Sequence, residues 1–218
     1  MVGEEDAIRR ARLVLSLRQD GIMDRRLLSA VERTDRTRYC PEAFAARAYE
    51  DRQIPIDCGQ TMEPARRVAI MLSALEVGER HHVLEIGTGS GYATALLARS
   101  ARRVVSLDRY RTLVEGARVA LKKDGITNAE IVLGDGHHGW PSGAPFERIF
   151  VSAACDPVPA ALIEELAPGG KLIAPIGGEE NGAQTLVLFT RSEDGLIESE
   201  PLGPAFAGRL GSGIARAL

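Results

Sequence analysis

Residues 83–93, V-L-E-I-G-T-G-S-G-Y-A, constrain this chain more than any other stretch. Four residues suited to a short buried strand run into glycines at alternate positions, Gly87, Gly89 and Gly91, and then into the helix-forming segment 93–99. A strand that turns sharply into a helix over glycines is a ligand cradle. Backbone without Cβ atoms adopts positive φ and approaches a bound molecule closely, while the free N–H groups of the new helix point at it. Glu85 lies inside the strand, where an unpaired carboxylate is costly to bury, so a partner is expected for it.

The spacing separates classes of nucleotide binder. G-x-G-x-G with an acid two residues before the first glycine differs from the G-x-G-x-x-G of nicotinamide and flavin sites, which disfavours a dehydrogenase. The motif resembles the first motif of methyltransferases that use S-adenosylmethionine (AdoMet). Beyond it, strand patterns at 83–86, 104–107, 131–133, 148–151, 171–175 and 185–189 alternate with helical patterns at 110–123 and 159–166, with a turn at Pro168-Gly169-Gly170. That alternation predicts an α/β fold with a parallel central sheet and helices on both faces.

Ligands in such sheets bind beyond the carboxyl ends of the strands, and the candidate residues fall there. Asp108 stands 21 residues after Gly87. An acid about 20 residues past the glycine turn ends the neighbouring strand and accepts hydrogen bonds from ribose hydroxyls. Asp135 closes the third strand between Gly134 and Gly136, which let a flat ring lie against the backbone; an adenine amino group is its natural partner. Ser152 begins a run of small residues that leaves room at the mouth of the site.

Ahead of the sheet, apolar residues at helical spacing predict a helix over 7–17 that stops before Gly21, and Asp24 caps a second. A short helix is expected over 41–49, then a loop through E-D-R-Q-I-P-I-D-C-G-Q-T-M-E-P, then a helix over 64–75 with Val68, Met71, Leu72 and Leu75 on one side. The chain thus divides into an N-terminal helical cap with a covering loop, 1–78, and an α/β core, 79–218.

Composition narrows the partners. The 218 residues suit one domain with extensions, and 27 basic against 30 acidic residues leave a formal charge of −3, with no global pull toward nucleic acid or an anionic membrane. There is no D/N-P-P-Y type segment and no catalytic Pro-Cys of the kind nucleic-acid methyltransferases carry. No apolar run approaches the ~18 residues of a membrane span, and the N-terminal stretch, with Glu5, Asp6, Arg9 and Arg10, lacks a signal-peptide core, so a cytoplasmic location is expected. Cys40, Cys58 and Cys155 are far apart and read as free thiols. His137 and His138 are adjacent and diverge, so no metal site is expected. His81 and His82 read as exposed, Trp140 as packing its loop, and Asp124, Glu164 and Glu165 as solvated helix charges.

Several longer segments carry a more specific resemblance: A-Y-E-D-R-Q-I-P-I-D-C-G-Q-T-M, V-L-E-I-G-T-G-S-G-Y, G-D-G-H-H-G-W with A-P-F-E-R-I, A-L-I-E-E-L-A-P-G-G-K-L-I-A-P-I-G, and the ending G-I-A-R-A-L. On these the chain resembles the protein-L-isoaspartate O-methyltransferase family along nearly its whole length. The resemblance implies the Rossmann-like, doubly wound, mostly parallel sheet of class I methyltransferases. It implies methyl transfer from AdoMet, with S-adenosyl-L-homocysteine as product, to the misplaced carboxyl group of isoaspartyl residues in damaged proteins. The partners implied are isoaspartyl peptides or proteins, with the enzyme a monomer or weak dimer. Carried over residue by residue, Glu85, Gly87, Gly89, Asp108, Asp135 and Gly136 hold the cofactor, with Gln60, Thr88, Gly91, Arg109 and Ser152 completing the set. The loop Gln60-Thr61-Met62 covers the methyl donor and receives the peptide.

Two departures stand out. The family loop reads G-Q-T-I-S and its serine belongs to the active site, whereas here Glu63 takes the serine position. An ionised glutamate donates no hydrogen bond and repels a carboxylate. Three roles are compatible with the sequence. Glu63 turns outward at the start of the next helix and Thr61 supplies the hydroxyl; or Glu63 is a general base for another acceptor; or the protein binds AdoMet and damaged protein with little turnover. Near the end, Phe206-Ala207-Gly208-Arg209-Leu210 replaces the family's F-V-P-L strand, so an irregular last strand is expected.

Overall fold

The computed structural model describes residues 2–178 and 182–215; the last three residues of the G-I-A-R-A-L ending lie outside that range. Ahead of the sheet come α1 (Val2–Gln19), α2 (Arg25–Arg33) and α3 (Ala65–Leu75). Asp24 caps α2 as expected, its carboxylate accepting from the Arg26 and Leu27 amides. The expected helix over 41–49 is a 3₁₀ segment, Glu42–Arg47, preceded by another at Arg36–Tyr39. The loop ahead of α3 is less irregular than its composition suggests. It holds a hairpin of β1 (Ile54–Pro55) and β2 (Thr61–Met62), paired antiparallel.

The main sheet follows in chain order: β3 (His82–Ile86), α4 (Tyr92–Ser100), β4 (Arg103–Asp108), α5 (Arg111–Lys123), β5 (Ala129–Leu133), β6 (Phe146–Val151), α6 (Ala160–Glu164), β7 (Leu166–Gly177), β8 (Gln184–Arg191) and β9 (Ile197–Ala205). The strand order is β5-β4-β3-β6-β7-β8-β9, with parallel pairing through β7 and antiparallel pairing for β8 and β9. The order reverses between β3-β4-β5 and β6, which opens a crevice at the strand carboxyl ends beside β3.

Alternation along the strands assigns the two faces. Val83, Val104, Phe150 and Ile173 pack with the cap helices, α4 and α5, whereas Leu84, Val105, Ile149 and Leu172 pack on the α6 side. Burial on both faces is why the central strands read as continuous apolar runs. Glu85 has the same parity as Val83 and so points toward α4.

Three expectations change. The Pro168-Gly169-Gly170 turn is absorbed into β7: Phe146 pairs with Leu166 and Arg148 with Lys171, so residues 167–170 bulge opposite a single residue, and α6 stops at Glu164. The whole of β9 was invisible in the sequence, because I-E-S-E-P-L-G-P-A is an almost fully exposed edge strand without apolar alternation and with two prolines. Beyond it the tail is irregular as expected, with Arg209 making an isolated bridge to Ala154.

Some polar residues also sit elsewhere than expected. His81 and His82 are half-buried, not exposed, and the His81 ring accepts the Gly78 amide. Glu165 is buried, and accepts from the Trp140 backbone N–H at 2.8 Å. Asp124 is no solvated helix charge: its side chain is 4% exposed. Its carboxylate accepts from Arg99 Nη2 at 2.8 Å, Tyr39 OH at 2.9 Å and Arg38 Nη1 at 3.0 Å, joining the segment after α2 to α4 and the end of α5. The three cysteines are free, and no helix among the described residues is long and apolar enough to cross a membrane.

Asp124→Ala leaves the buried Tyr39 hydroxyl without its acceptor and removes the carboxylate paired with Arg99, which keeps only Thr34 Oγ1 and the residue 124 carbonyl. A loss of about 2–4 kcal/mol is expected, read as a lower urea midpoint with unchanged m-value.

Candidate functional site

The turn after β3 is tied to the neighbouring strand. Gly87 and Thr88 both donate their amides to the Leu107 carbonyl, at 2.8 and 3.2 Å, and Gly89 N–H donates to Asp108 Oδ2 at 2.9 Å. At Gly87 the need for glycine is twofold: φ is +92°, and a Cβ there would overlap Ser152 Oγ. The other oxygen of Asp108, Oδ1, accepts from Tyr110 N–H at 2.9 Å. Burial raises the Asp108 pKa, against the pull of the Tyr110 and Gly89 amides.

These groups line a cleft with about 1060 Å³ of empty space, counting its open mouth. Gln60, Thr61, Glu63, Gly87, Thr88, Gly89, Asp108, Arg109, Gly136 and Ser152 all border it, so most of the residues singled out in the sequence converge. At Gly136 a Cβ would overlap the Ile86 side chain, so this wall too is bare backbone. A glycine cradle, a buried acid at the end of β4 and a flat glycine-lined wall fit the ribose and base of an adenine nucleoside.

Three expected cofactor residues do not border the cleft. Gly91 caps α4 with φ +87° and packs against Ala117. Glu85 is wholly buried behind the turn, where Thr94 Oγ1 donates to its Oε2 at 2.5 Å and Oε1 has no hydrogen-bond partner. Burial pushes its pKa up to about 7, against hydrogen bonds from Ser106 and Thr94. Its parity on β3, toward α4, is the physical reason it misses the crevice. Asp135 does not border the cleft either, although Gly134 and Gly136 on either side of it do. Its Oδ2 accepts from Gly213 N–H at 2.6 Å and its Oδ1 from His137 N–H at 2.9 Å. Burial works to raise the Asp135 pKa, and the His137 and Gly213 amides outweigh it, leaving the carboxyl below its ordinary value.

Glu63 does not turn outward. Its side chain is 14% exposed; Oε1 accepts from Gln53 Nε2 at 2.6 Å, and Oε2 lies 3.6 Å from Arg67 Nε. Burial raises its pKa, while the Gln53 hydrogen bond and the charges of Arg67 and Arg36 lower it. Thr61 is exposed beside it, and Gln60 reaches the Cys58 carbonyl and the Tyr110 hydroxyl.

Sequence reasoning missed three contributors. Tyr92 and Tyr110 border the cleft, each beside a glycine or acid already singled out, which was the available signal. The segment Gly208–Gly211 borders it as well, although no motif marks it. This strap is held by Leu210 N–H to Ala154 O at 2.7 Å, by the Gly213 bond to Asp135, and by Ala215 N–H to Arg109 O at 3.0 Å.

Residues 8–206 match the family model of protein-L-isoaspartate(D-aspartate) O-methyltransferase. The chain is 44% identical over 205 residues to the protein-L-isoaspartate O-methyltransferase of Parvibaculum lavamentivorans, covering 94% of this chain and 91% of that one. It is 44% identical over 210 residues to that of Maricaulis maris, covering 96% and 97%. Among solved structures, a protein-L-isoaspartate O-methyltransferase superposes with a TM-score of 0.84 at 27% identity, over 94% of this chain and 67% of that one. A Plasmodium falciparum structure assigned to the same activity, in complex with S-adenosyl-L-homocysteine, superposes with a TM-score of 0.78 at 26% identity, over 92% and 97%.

The raised Glu85 pKa means that the folded protein holds a proton there that the unfolded chain releases. Its stabilising share is complete below about pH 4.5 and is lost as pH rises through about 7. Glu85→Gln keeps an acceptor for Thr94 and cannot ionise. Urea titrations from pH 5 to 8.5 are expected to show wild-type stability falling by up to about 3 kcal/mol more than that of the variant.

Proposed function

Because the chain belongs to the protein-L-isoaspartate(D-aspartate) O-methyltransferase family, we propose that it methylates the free carboxyl group of L-isoaspartyl residues in damaged proteins, using AdoMet. One observation carries the reading. The glycine cradle, Asp108 and the Gln60–Glu63 loop all border one cleft, so donor and acceptor can meet inside it.

When bound, AdoMet supplies a methyl group already activated on a sulfonium sulfur. Asp108, oriented by the Gly89 and Tyr110 amides, would hold the ribose hydroxyls, and the backbone at Gly134 and Gly136 would face the adenine. The acceptor carboxylate is a nucleophile at neutral pH, so the chain has no proton to remove; its work is orientation and exclusion of water. Thr61, which borders the cleft, would donate its hydroxyl to the acceptor. Glu63 is poorly placed as a general base, since Gln53 holds one oxygen and the other is shielded from solvent next to Arg67. Action in the cytoplasm as a monomer or weak dimer belongs to the same proposal.

Radiolabelled methyl transfer to an isoaspartyl hexapeptide, with its normal aspartyl twin as control, tests the assignment. Label is expected in the first and not in the second. Glu63→Ser is expected to raise kcat/KM by no more than about tenfold, because Arg67 and Gln53 already offset most of the Glu63 charge. Label appearing only with the serine variant would show that the wild-type protein serves a different acceptor or has lost the activity.

A further inference from the structure

The largest fully buried side chain among the described residues is a cation, Arg36. It opens the 3₁₀ segment after α2 and reaches toward the Gln60–Glu63 loop. Its Nε donates to the Ala48 carbonyl at 2.6 Å, its Nη2 donates to the Glu63 carbonyl, and its Cζ lies 4.5 Å from the centroid of the Tyr92 ring. Nη1 has neither a hydrogen-bond partner nor solvent contact. No carboxylate forms an ion pair with this guanidinium within 4.0 Å among the described residues. Arginine stays charged when buried, and a buried charge without a counter-ion is costly.

Of the three residues the guanidinium contacts, Glu63 and Tyr92 form part of the cleft wall, so the guanidinium sits one layer behind it. The charges nearby do not cancel. Glu63 contributes one negative charge, and Arg67, four residues on along the chain, pairs with it at 3.6 Å. That pair is neutral as a unit, which leaves Arg36 as the surplus. A carboxylate entering this end of the cleft is the anion that the arrangement lacks.

We propose that Arg36 is a positioning and specificity-determining residue: it keeps the acceptor end of the cleft electropositive, and so selective for a carboxylate, while Arg67 cancels Glu63. The proposal rests on the carboxylate-methylating reading above. It also accounts for how a glutamate is tolerated beside an anionic acceptor. Methyl transfer joins a carboxylate oxygen to the methyl carbon and leaves the electron pair on sulfur, so opposite charges are neutralised as the reaction proceeds. A fixed cation therefore stabilises the bound acceptor at least as much as the transition state, so its loss raises KM and does not lower kcat.

Steady-state kinetics with an isoaspartyl hexapeptide, together with calorimetric affinities for S-adenosyl-L-homocysteine, test this on the full chain. Arg36→Met is expected to raise the peptide KM at least about tenfold, equivalent to ~1.4 kcal/mol, with kcat and S-adenosyl-L-homocysteine affinity nearly unchanged. Arg36→Lys, which keeps the charge, is expected to recover most of the loss. Arg67→Met, which unmasks Glu63 without disturbing the buried site, is expected to raise the peptide KM as well, and Glu63→Gln in that background to reverse it. A peptide KM unchanged in Arg36→Met, or in Arg67→Met should the first variant not fold, overturns the proposal. So does parallel loss of peptide and nucleoside binding in both Arg36 variants, which would make the residue merely structural. Absence of methylation by the wild-type protein overturns the functional reading and this proposal together, whereas a normal wild type with silent variants overturns this proposal alone.

Discussion

The site depends on a backbone interlock between two strands. The Gly87 and Thr88 amides converge on one carbonyl, that of Leu107, and the next free amide, Gly89, is taken by the side chain of Asp108. The first turn of the sheet is thereby bonded to the end of β4 as well as to itself, through Gly91 N–H to Thr88 O at 2.9 Å. Beneath it, the Thr88 and Ser106 hydroxyls lie 2.6 Å apart, out of solvent, repeating the tie one residue deeper. The shape of the cradle therefore follows from the β3–β4 register, which buried side chains on both faces fix. Donors and acceptors that a ligand meets here are positioned before it arrives, which is what orientation-dominated catalysis requires.

How much of this was legible follows from the range of each signal. The glycine turn, Asp108 and the core strands were readable because local chemistry dictates them: a backbone conformation that excludes side chains, a spacing set by one strand–helix–strand unit, and apolar runs that only two-sided burial explains. Asp135 ends its strand where expected, but its carboxylate is met by a donor that the sequence does not reveal, Gly213 N–H, from 78 residues away. Asp124 misled for the same reason, its partners Tyr39 and Arg38 lying 85 and 86 residues off. Sequence patterns report the face of an element; they do not report which distant group will occupy it.

The acceptor side is built differently from the cofactor side. It has no long strand to anchor it, only the two-residue pairs Ile54↔Met62 and Pro55↔Thr61. Gln53 compensates by working in two directions: its side-chain amide donates to Glu63 Oε1 and, at 2.8 Å, to the Phe206 carbonyl at the start of the C-terminal strap. Arg67 repeats the link, donating to Pro204 O at 3.2 Å and lying over the exposed Phe206 ring at 5.9 Å. The loop and the strap are thus held by each other across the mouth of the cleft. Contacts of this kind, few and largely at the surface, belong to the low end of local stability, where elements that open for a ligand are found.

Glu85 and Arg36 are both wholly buried near the cleft, and the protein deals with them in opposite ways. Glu85 has no cation beside it, and its pKa near 7 lets the proton remove the charge at little cost. Arg36 has no such exit: burial lowers its pKa from an ordinary value so high that the guanidinium stays protonated. Two carbonyls and the face of Tyr92 supply partial negative charge but no counter-ion. A neutralised acid affects only its contacts, whereas an unneutralised cation in a weakly polarisable interior acts over several ångströms. The first behaves as part of the packing beneath the turn. The second sets the sign of the potential at the end of the cleft where the acceptor must bind.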